Sequence, residues 1–385
     1  MKMKKIAMIL HTDGIEYDDR IRKEMLTVMK LYPDIKFKIF AIIDGDSNVE
    51  EQGVSDYGVE YVIPVLKSRN KYQPGTHLLA KAYDFYKTIT PMVKDYDAIW
   101  VANERVVFFV ALSRKPIIWD WHEILSEFLG SSIKKCILKF LMRRCKAVIH
   151  ANPQRIDYID SIGGLSNKNR QFAIRNFPMF NDAYKETDAK YHEFITWLGD
   201  SDCVYLQGAE NRARCDEESI EGILAIENLK AVVVGRFNQD LKNRLLDKYG
   251  EELSKRLFFT GMVRQKMTPH YIRACKVSLV LYKNVRPNNF YCEPNRMFQS
   301  IINDCPVVVG CNPPMKELVE KYNFGVVLPS DGSNVEEITA GLNQVLIQRD
   351  NYLESLRVNK NNILWDSQED EFKRIIEATF SNKRQ

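Results

Sequence analysis

The sequence predicts an α/β protein made of two doubly wound parallel-sheet domains, Rossmann-like in pattern. Three observations predict it. At roughly 150 residues per domain, a chain of 385 residues suits two domains. Short apolar runs rich in β-branched residues recur along the chain, each followed by a longer helical pattern, as in parallel sheets covered on both faces. These runs fall six on each side of roughly residue 178.

In the first half the predicted strands are 5–11, 36–44, 60–65, 98–103, 116–121 and 147–152. In the second half they are 204–208, 231–236, 257–261, 277–282, 306–310 and 325–329. Arg175-Asn176-Phe177-Pro178, with the polar stretch 181–193, reads as the linker. The chain ends in a predicted helix after Trp365-Asp366, with Phe372, Ile375, Ile376 and Phe380 as its apolar face. Two such domains are expected to face a cleft. In open α/β sheets ligands sit at the carboxyl ends of the strands, so the chemistry is expected in loops that follow strands.

Composition narrows the class. Hydrophobic residues make up 45% and charged residues 28%, the mix of a globular protein rather than a disordered or fibrous one. No apolar run approaches the ~18 residues needed to span a bilayer. The apolar run after Met1-Lys2-Met3-Lys4-Lys5 is interrupted by His11, Asp13 and Glu16, so a first strand is expected rather than a signal peptide. The eight cysteines show no CxxC pair and no zinc-finger spacing, and are expected as reduced cytoplasmic thiols used as small hydrophobes. A net charge of +4 does not call for a nucleic-acid partner. Its distribution is uneven: residues 1–175 carry 28 basic and 21 acidic groups, whereas 251–300 carry nine and three.

Two constellations in the second half suit an anion. Strand 204–208 ends in Gly208, and the loop 209–214 leads through Arg212 and Arg214 into a helix opened by Asp216, Glu217 and Glu218. Backbone amides at a helix N-terminus favour phosphate, and arginine binds it with a forked geometry. The competing reading is a surface arginine with acidic capping partners. Further on, Tyr291-Cys292-Glu293-Pro294-Asn295-Arg296-Met297-Phe298-Gln299-Ser300 places a proline at the start of a helix, with Asn295 and Arg296 at its N-terminus. The competing reading there is an ordinary amphipathic helix.

These segments, taken in order, resemble a known family. Phe259-Thr260-Gly261-Met262-Val263, Pro269 to Ala274, Glu293-Pro294-Asn295-Arg296-Met297-Phe298-Gln299 and Cys305-Pro306-Val307-Val308-Val309 resemble the carboxyl-terminal domain of retaining GT-B glycosyltransferases. In the first half, Tyr17-Asp18-Asp19-Arg20-Ile21-Arg22-Lys23-Glu24 resembles the family's first-helix motif. Asp120-Trp121-His122-Glu123 resembles its Asp-Ala-His-Glu, and Arg175-Asn176-Phe177-Pro178 its inter-domain Asn-x-Pro.

The resemblance implies a GT-B fold. Residues 1–177, completed by a returning helix at 366–385, would form the acceptor domain, and 178–365 the nucleotide-sugar domain. Arg214, Arg296 and Asn295 would bind the donor diphosphate, with Gly208, Gln299 and Glu293 toward the nucleotide and sugar. Gln299 stands where the family has its ribose-binding glutamate, and Tyr291 where it has a second glutamate, with Glu293 as a candidate replacement. His122 would contact the sugar near its anomeric centre, and Gly14, Arg20 and Glu123 would lie on the acceptor side. Breaking a sugar–diphosphate bond releases an anion, and one pre-placed donor in comparable sites supplies ~3–4 kcal/mol. No carboxylate can be assigned as a covalent nucleophile. The resemblance therefore implies front-face attack with the leaving phosphate as base and His122 positioning rather than ionising. It also implies neither metal nor cofactor. Asp44-Gly45-Asp46, which matches a metal-binding Asp-x-Asp, reads as a turn after the second strand.

The expected activity is transfer of a sugar from a UDP- or GDP-sugar to a glycan or lipid-linked acceptor, in surface polysaccharide synthesis. Two alternatives stay open: a catalytically silent GT-B sugar-binding scaffold, and a sugar-nucleotide 2-epimerase, for which six histidines in the chain offer few acid/base groups. The segment 131–146 has six basic residues and no acid. Lys135, Lys139, Arg143 and Lys146 form one stripe; Ile133, Ile137, Phe140, Leu141 and Arg144 form a mostly apolar one. It reads either as a helix packed on the first sheet or as an interfacial helix on the inner face of a membrane, where each basic residue near an anionic surface contributes ~1 kcal/mol. The two readings are compatible.

Overall fold

A computed structural model describes residues 3–11, 15–42, 49–66, 78–124, 131–163, 170–179, 186–208 and 212–381. Gly14, the Asp44-Gly45-Asp46 turn and loop residues 209–211 lie outside the described residues. The chain divides into two compact units, Met1–Asn176 with Gln368–Gln385, and Phe177–Ser367.

The first unit holds an eight-stranded sheet: β1 (Lys4–His11), β2 (Ile35–Ile42), β3 (Glu51–Val54), β4 (Glu60–Ile63), β5 (Ala98–Ala102), β6 (Ile117–Trp121), β7 (Ala147–His150) and β8 (Gln171–Ala173). Its order is β3-β4-β2-β1-β5-β6-β7-β8, and every pair is parallel except β3 with β4. The sheet thus carries two strands that the sequence reading omits. β3 is exposed, polar and contains Gly53, so it lacks the apolar signature of a central strand. β8 is only three residues long.

The second unit holds a six-stranded sheet: β9 (Cys203–Gln207), β10 (Lys230–Val234), β11 (Leu257–Gly261), β12 (Val277–Val280), β13 (Val307–Val309) and β14 (Gly325–Val327). Its order is β11-β10-β9-β12-β13-β14, all parallel. Both sheets reverse direction of growth at one place, between β1 and β5 in the first and between β9 and β12 in the second. That switch point leaves a crevice outside the carboxyl ends of the strands.

Burial explains the unbroken apolar runs. Ile6 to Ile9 of β1, Ile117 to Trp119 of β6 and the three valines of β13 are fully buried, because helices cover both sheet faces. In the second unit Phe298 packs edge-on to Phe177 at 5.1 Å, and Trp365 N–H donates to Pro178 carbonyl at 2.9 Å. These contacts seat the first residues of the unit against its last. Part of the stretch read as linker is helical: Asp188 caps the helix Ala189–Leu198 by accepting from Tyr191 N–H.

The basic helix Ser132–Arg144 differs from the expected packing. Leu138, Leu141 and Met142 face inward, while Ile133 is 75% exposed and Phe140 49%. The buried stripe is rotated away from the one read from the sequence, of which Leu141 stays buried and Arg144 is held by the Ser113 and Lys115 carbonyls.

The final helix Glu369–Phe380 packs on the helix Asp19–Leu31 of the same unit, with Lys30 pairing with Glu369 at 2.7 Å. Just before it, Gln368 acts as a strand substitute. Its Oε1 accepts from Arg175 N–H at 2.6 Å and its Nε2 donates to Arg175 carbonyl at 2.9 Å, both buried. Gln368→Ala leaves a buried N–H and carbonyl without that partner. We expect it to cost about 1–3 kcal/mol, read as a lower urea midpoint. A midpoint unchanged from wild type would show that the bridge is not stabilising.

Candidate functional site

At the carboxyl edge of the first sheet, side chains from three elements meet. Asp18 caps the helix Asp19–Leu31, accepting from Ile21 N–H at 3.2 Å, so the helix begins immediately after β1 and its surrounding loop. Arg20 and Glu24 then lie one turn apart on its buried face, 3.1 Å from each other. On β6, Trp119 and Trp121 share one face and stack at 4.6 Å, which puts Asp120 on the other. There Arg20 grips Asp120 with two donors, Nη2 to Oδ1 at 3.0 Å and Nε to Oδ2 at 3.2 Å, and Nη1 donates to Ile174 carbonyl at 2.9 Å. His122 follows as a half-buried residue whose Nε2 contacts Asp120 Oδ2 and lies 3.1 Å from Arg20 Nε.

The electrostatics of this cluster are uneven. Burial alone would raise the Asp120 carboxyl, but Arg20 and His122 outweigh it and hold Asp120 well below the usual carboxylate range. Glu24 goes the other way: burial and the neighbouring Asp120 push it well up against the pull of Arg20. Glu24, Asp120 and His122 are the described residues whose ligand atoms come close enough together to hold a metal ion. Arg20 Nε stands 3.1 to 3.2 Å from an atom of each, so a guanidinium supplies the positive charge there.

Two further residues attend His122 that sequence reasoning missed. Arg155, buried at the start of the helix Pro153–Gly163, donates to the His122 carbonyl, its own N–H capped by Asn152 Oδ1 at 3.0 Å. Glu104 follows β5 as His122 follows β6, on adjacent parallel strands. Burial raises its carboxyl, with the charges of His122, Glu123 and Arg105 acting on it. Glu104 lies just beyond the end of β5, whereas Arg155 stands in the first turn of the helix that follows β7. Glu123 itself is exposed. His150, at the end of β7, is pushed down to about 3 by burial and Arg155 and is therefore a neutral core group.

The carboxyl edge of the second sheet is built differently. Gly208, Gly235 and Gly261 end three neighbouring strands. A Cβ at Gly208 would come within 2.5 Å of the Arg236 carbonyl oxygen, and Gly235 has φ +105°. Glycine at 208 lets two strand ends pack backbone to backbone, while the place of a side chain at Gly261 is open. Tyr282 follows β12 and sits between two guanidinium groups, Arg296 at 4.9 Å and Arg214 at 5.8 Å from its ring centre.

The two arginines are not equivalent. Arg296, on the helix Asn295–Ile302, is only 6% exposed, and its terminal nitrogens donate to Gln207 carbonyl at 3.3 Å and Leu281 carbonyl at 3.0 Å. It ties the ends of β9 and β12 together rather than projecting freely from the helix start. Its Nε is buried without a hydrogen-bond partner among the described residues. Arg214 is half-buried and has no hydrogen bond or ion pair among the described residues. Asn295 is exposed at the same helix start, and Glu293 and Gln299 are half-buried near it. Gln299 accepts through its main-chain carbonyl from Asn303 at 2.8 Å.

Asp216 opens the helix Asp216–Leu224 after Cys215, which adopts a left-handed φ of 55°. Burial raises the Asp216 carboxyl to about 6, against the pull of Arg296 and Arg214.

No family model matches the chain, and no curated protein matches it in sequence. Solved structures do match it in fold. A sucrose-phosphate synthase from Thermosynechococcus elongatus has a TM-score of 0.77 at 13% identity, over 99% of this chain and 100% of that one. HepE from Anabaena, in complex with UDP, has a TM-score of 0.70 at 15% identity, over 98% and 100%. The fold is GT-B. An E. coli trehalose-6-phosphate structure bound with UDP-2-fluoro glucose agrees, with a TM-score of 0.73 at 11% identity, over 99% and 100%. At these identities the likeness is one of GT-B fold, and the residues above are this chain's own.

The raised Asp216 carboxyl has a consequence for stability. A carboxyl with a folded-state value near 6 is favoured protonated in the folded chain, so the folded state holds its proton longer than the unfolded state. Stability is then expected to fall as pH rises from about 4 to about 6, by up to about 3 kcal/mol. Asp216→Asn should remove that part of the slope in urea titrations between those pH values, and an unaltered slope would refute the assignment.

Proposed function

We propose that this GT-B protein is a glycosyltransferase that moves a sugar from a nucleoside diphosphate sugar to a glycan or lipid-linked acceptor, with retention, in surface polysaccharide synthesis. The observation that carries the reading is the Arg214 guanidinium, which has no hydrogen bond or ion pair among the described residues and follows β9 at the switch point of the second sheet. An anion there meets a forked donor close to the start of the helix Asp216–Leu224. Two of the structural neighbours hold UDP or a UDP-sugar analogue, which supports a uridine diphosphate donor over a guanosine one.

In this reading Arg214 takes the diphosphate directly. Arg296 adds its charge from beneath and keeps the ends of β9 and β12 in place, and Asn295 offers an exposed amide at the same helix start. Glu293, Gln299 and the open edge at Gly235 and Gly261 serve the ribose and base. His122 positions the sugar, with Arg20 holding its loop and Glu123 on the acceptor side. The charge that develops on the leaving phosphate is met by fixed arginines, and the transfer proceeds without a metal or cofactor.

Arg214→Ala should weaken UDP binding by about 10- to 100-fold by calorimetry, the loss of about 1.4–2.7 kcal/mol, with little change in stability. Unchanged UDP and GDP affinity in Arg214→Ala and in Arg296→Ala would remove the diphosphate assignment. Slow hydrolysis of a UDP-sugar by wild type, abolished in His122→Ala, separates an enzyme from a silent sugar-binding scaffold.

The helix Ser132–Arg144 supports peripheral contact with the anionic inner face of a membrane. Its exposed residues include the apolar Ile133 and Phe140 and the basic Lys134 and Arg143, the mixture of groups that such surfaces hold. No helix among the described residues is long and apolar enough to cross a membrane. Flotation with phosphatidylserine vesicles is expected at low salt and lost at high salt. Absence of flotation at low salt would end this part of the reading.

A further inference from the structure

In the cluster behind His122, one N–H faces more acceptors than it can serve. Arg20 Nε lies 3.2 Å from Asp120 Oδ2, 3.1 Å from Glu24 Oε1 and 3.1 Å from His122 Nε2. His122 Nε2 in turn contacts Asp120 Oδ2. Asp120 is ionised and offers only lone pairs, so this contact is attractive only when Nε2 carries the hydrogen. Arg20 then directs its Nε–H to Asp120 instead of the ring. Nδ1 of His122 has no partner among the described residues, and in the neutral ring it keeps its lone pair.

The arrangement depends on where a second proton sits. Glu24 and Asp120 are both fully buried, and one guanidinium serves them both. Two desolvated carboxylates beside a single cation cannot both ionise. The proton stays on Glu24, whose two buried oxygens have no hydrogen-bond partner among the described residues, whereas Asp120 accepts two bonds from Arg20; burial and the acidic neighbour Asp120 favour the same placement. Lys23, on the same helix, is also near Glu24 but pairs with Asp19 at 2.9 Å. From the other elements, Glu104 interacts electrostatically with His122, Arg155 donates to the His122 carbonyl, and His150 near Asp120 is neutral.

We propose that Glu24 is a positioning residue: its carboxyl O–H donates to Asp120 and thereby fixes His122 as the Nε2–H tautomer, leaving Nδ1 as the acceptor for a substrate hydroxyl. The tautomer follows from the protein alone. Only the naming of the hydroxyl as a sugar's rests on the glycosyltransferase reading. Were Glu24 ionised, Asp120 would share its one cation with a second anion, and the imidazole would be drawn to protonate and donate from both nitrogens.

The test is histidine ¹⁵N NMR on the free, full-length protein at about pH 6 to 8, where neutral and charged rings are distinguishable. The His122 resonances are assigned by their loss in His122→Gln. Wild type should show a protonated Nε2 and a bare Nδ1. Glu24→Gln, whose amide N–H replaces the carboxyl O–H, should keep that pattern. Glu24→Asp withdraws the donor by one methylene and should move His122 several-fold toward the other tautomer or the charged ring. A protonated Nδ1 in neutral wild type, or an unchanged tautomer in Glu24→Asp, would overturn the proposal. A measurement on folded wild type keeps it testable if the variants do not fold. Infrared spectra should show a protonated-carboxyl stretch at neutral pH that shifts with ¹³C-glutamate labelling, and absence of that band would also overturn it. Both readouts need no donor, so their failure leaves UDP binding untouched, and failure of UDP binding leaves them untouched.

Discussion

The buried ion pair of Arg20 with Asp120 organises the first unit. Removing two charges from water costs several kcal/mol for each, and the pair is tolerable only when its remaining donors and lone pairs are satisfied. Arg20 therefore spends its guanidinium on Asp120, Glu24 and the Ile174 carbonyl, which draws the first helix, the end of β6 and the segment after β8 to one point. His122 is placed as a result, since it is two residues beyond Asp120 and shares that residue's carboxylate. The requirement that a buried charge be fully met is what turns an ordinary strand end into a defined site.

The second unit solves a related problem with backbone instead of carboxylate. Arg296 is buried, and its partners are the main-chain carbonyls at the ends of β9 and β12. Those strands flank the switch point of the sheet, so a positive charge is stored where the crevice opens. Tyr282 lies over Arg296 and against Arg214, holding two like charges near one another through its ring face. Asp216 is close to both arginines, and its burial, acting against their pull, is why its proton is retained toward neutral pH.

Much of this was legible from residues alone, for identifiable reasons. The apolar strands of both sheets announce themselves because parallel strands covered on two faces need unbroken runs of valine, isoleucine and leucine. β3 does not, because an exposed antiparallel edge strand has no such need, and β8 is too short to show a period. At the sites, Arg20, His122, Arg214 and Arg296 stood in recognisable motifs. Glu104 and Arg155 did not, since a single charged residue after a strand has no local signature. Burial of Arg296 was equally invisible: the sequence places it at a helix start, and the carbonyls that capture it come from residues 207 and 281. The basic helix shows the same limit, since two stripes can be drawn on one helical wheel and only its packing chooses between them.

The sequence by itself determined the α/β class, the two-part organisation, the places where strands end and the residue types that stand just after them. These follow from local periodicity and from the backbone preferences of glycine and proline, which act over a few residues. Tertiary structure alone decided which charges meet. It brought residues 20, 24, 120 and 122 within hydrogen-bonding reach, gave one of two neighbouring carboxyls the proton, and turned one arginine inward while leaving the other without a hydrogen bond or ion pair among the described residues. Such outcomes depend on pairing between distant segments and on the loss of water around them, and neither is written in any local stretch of the chain.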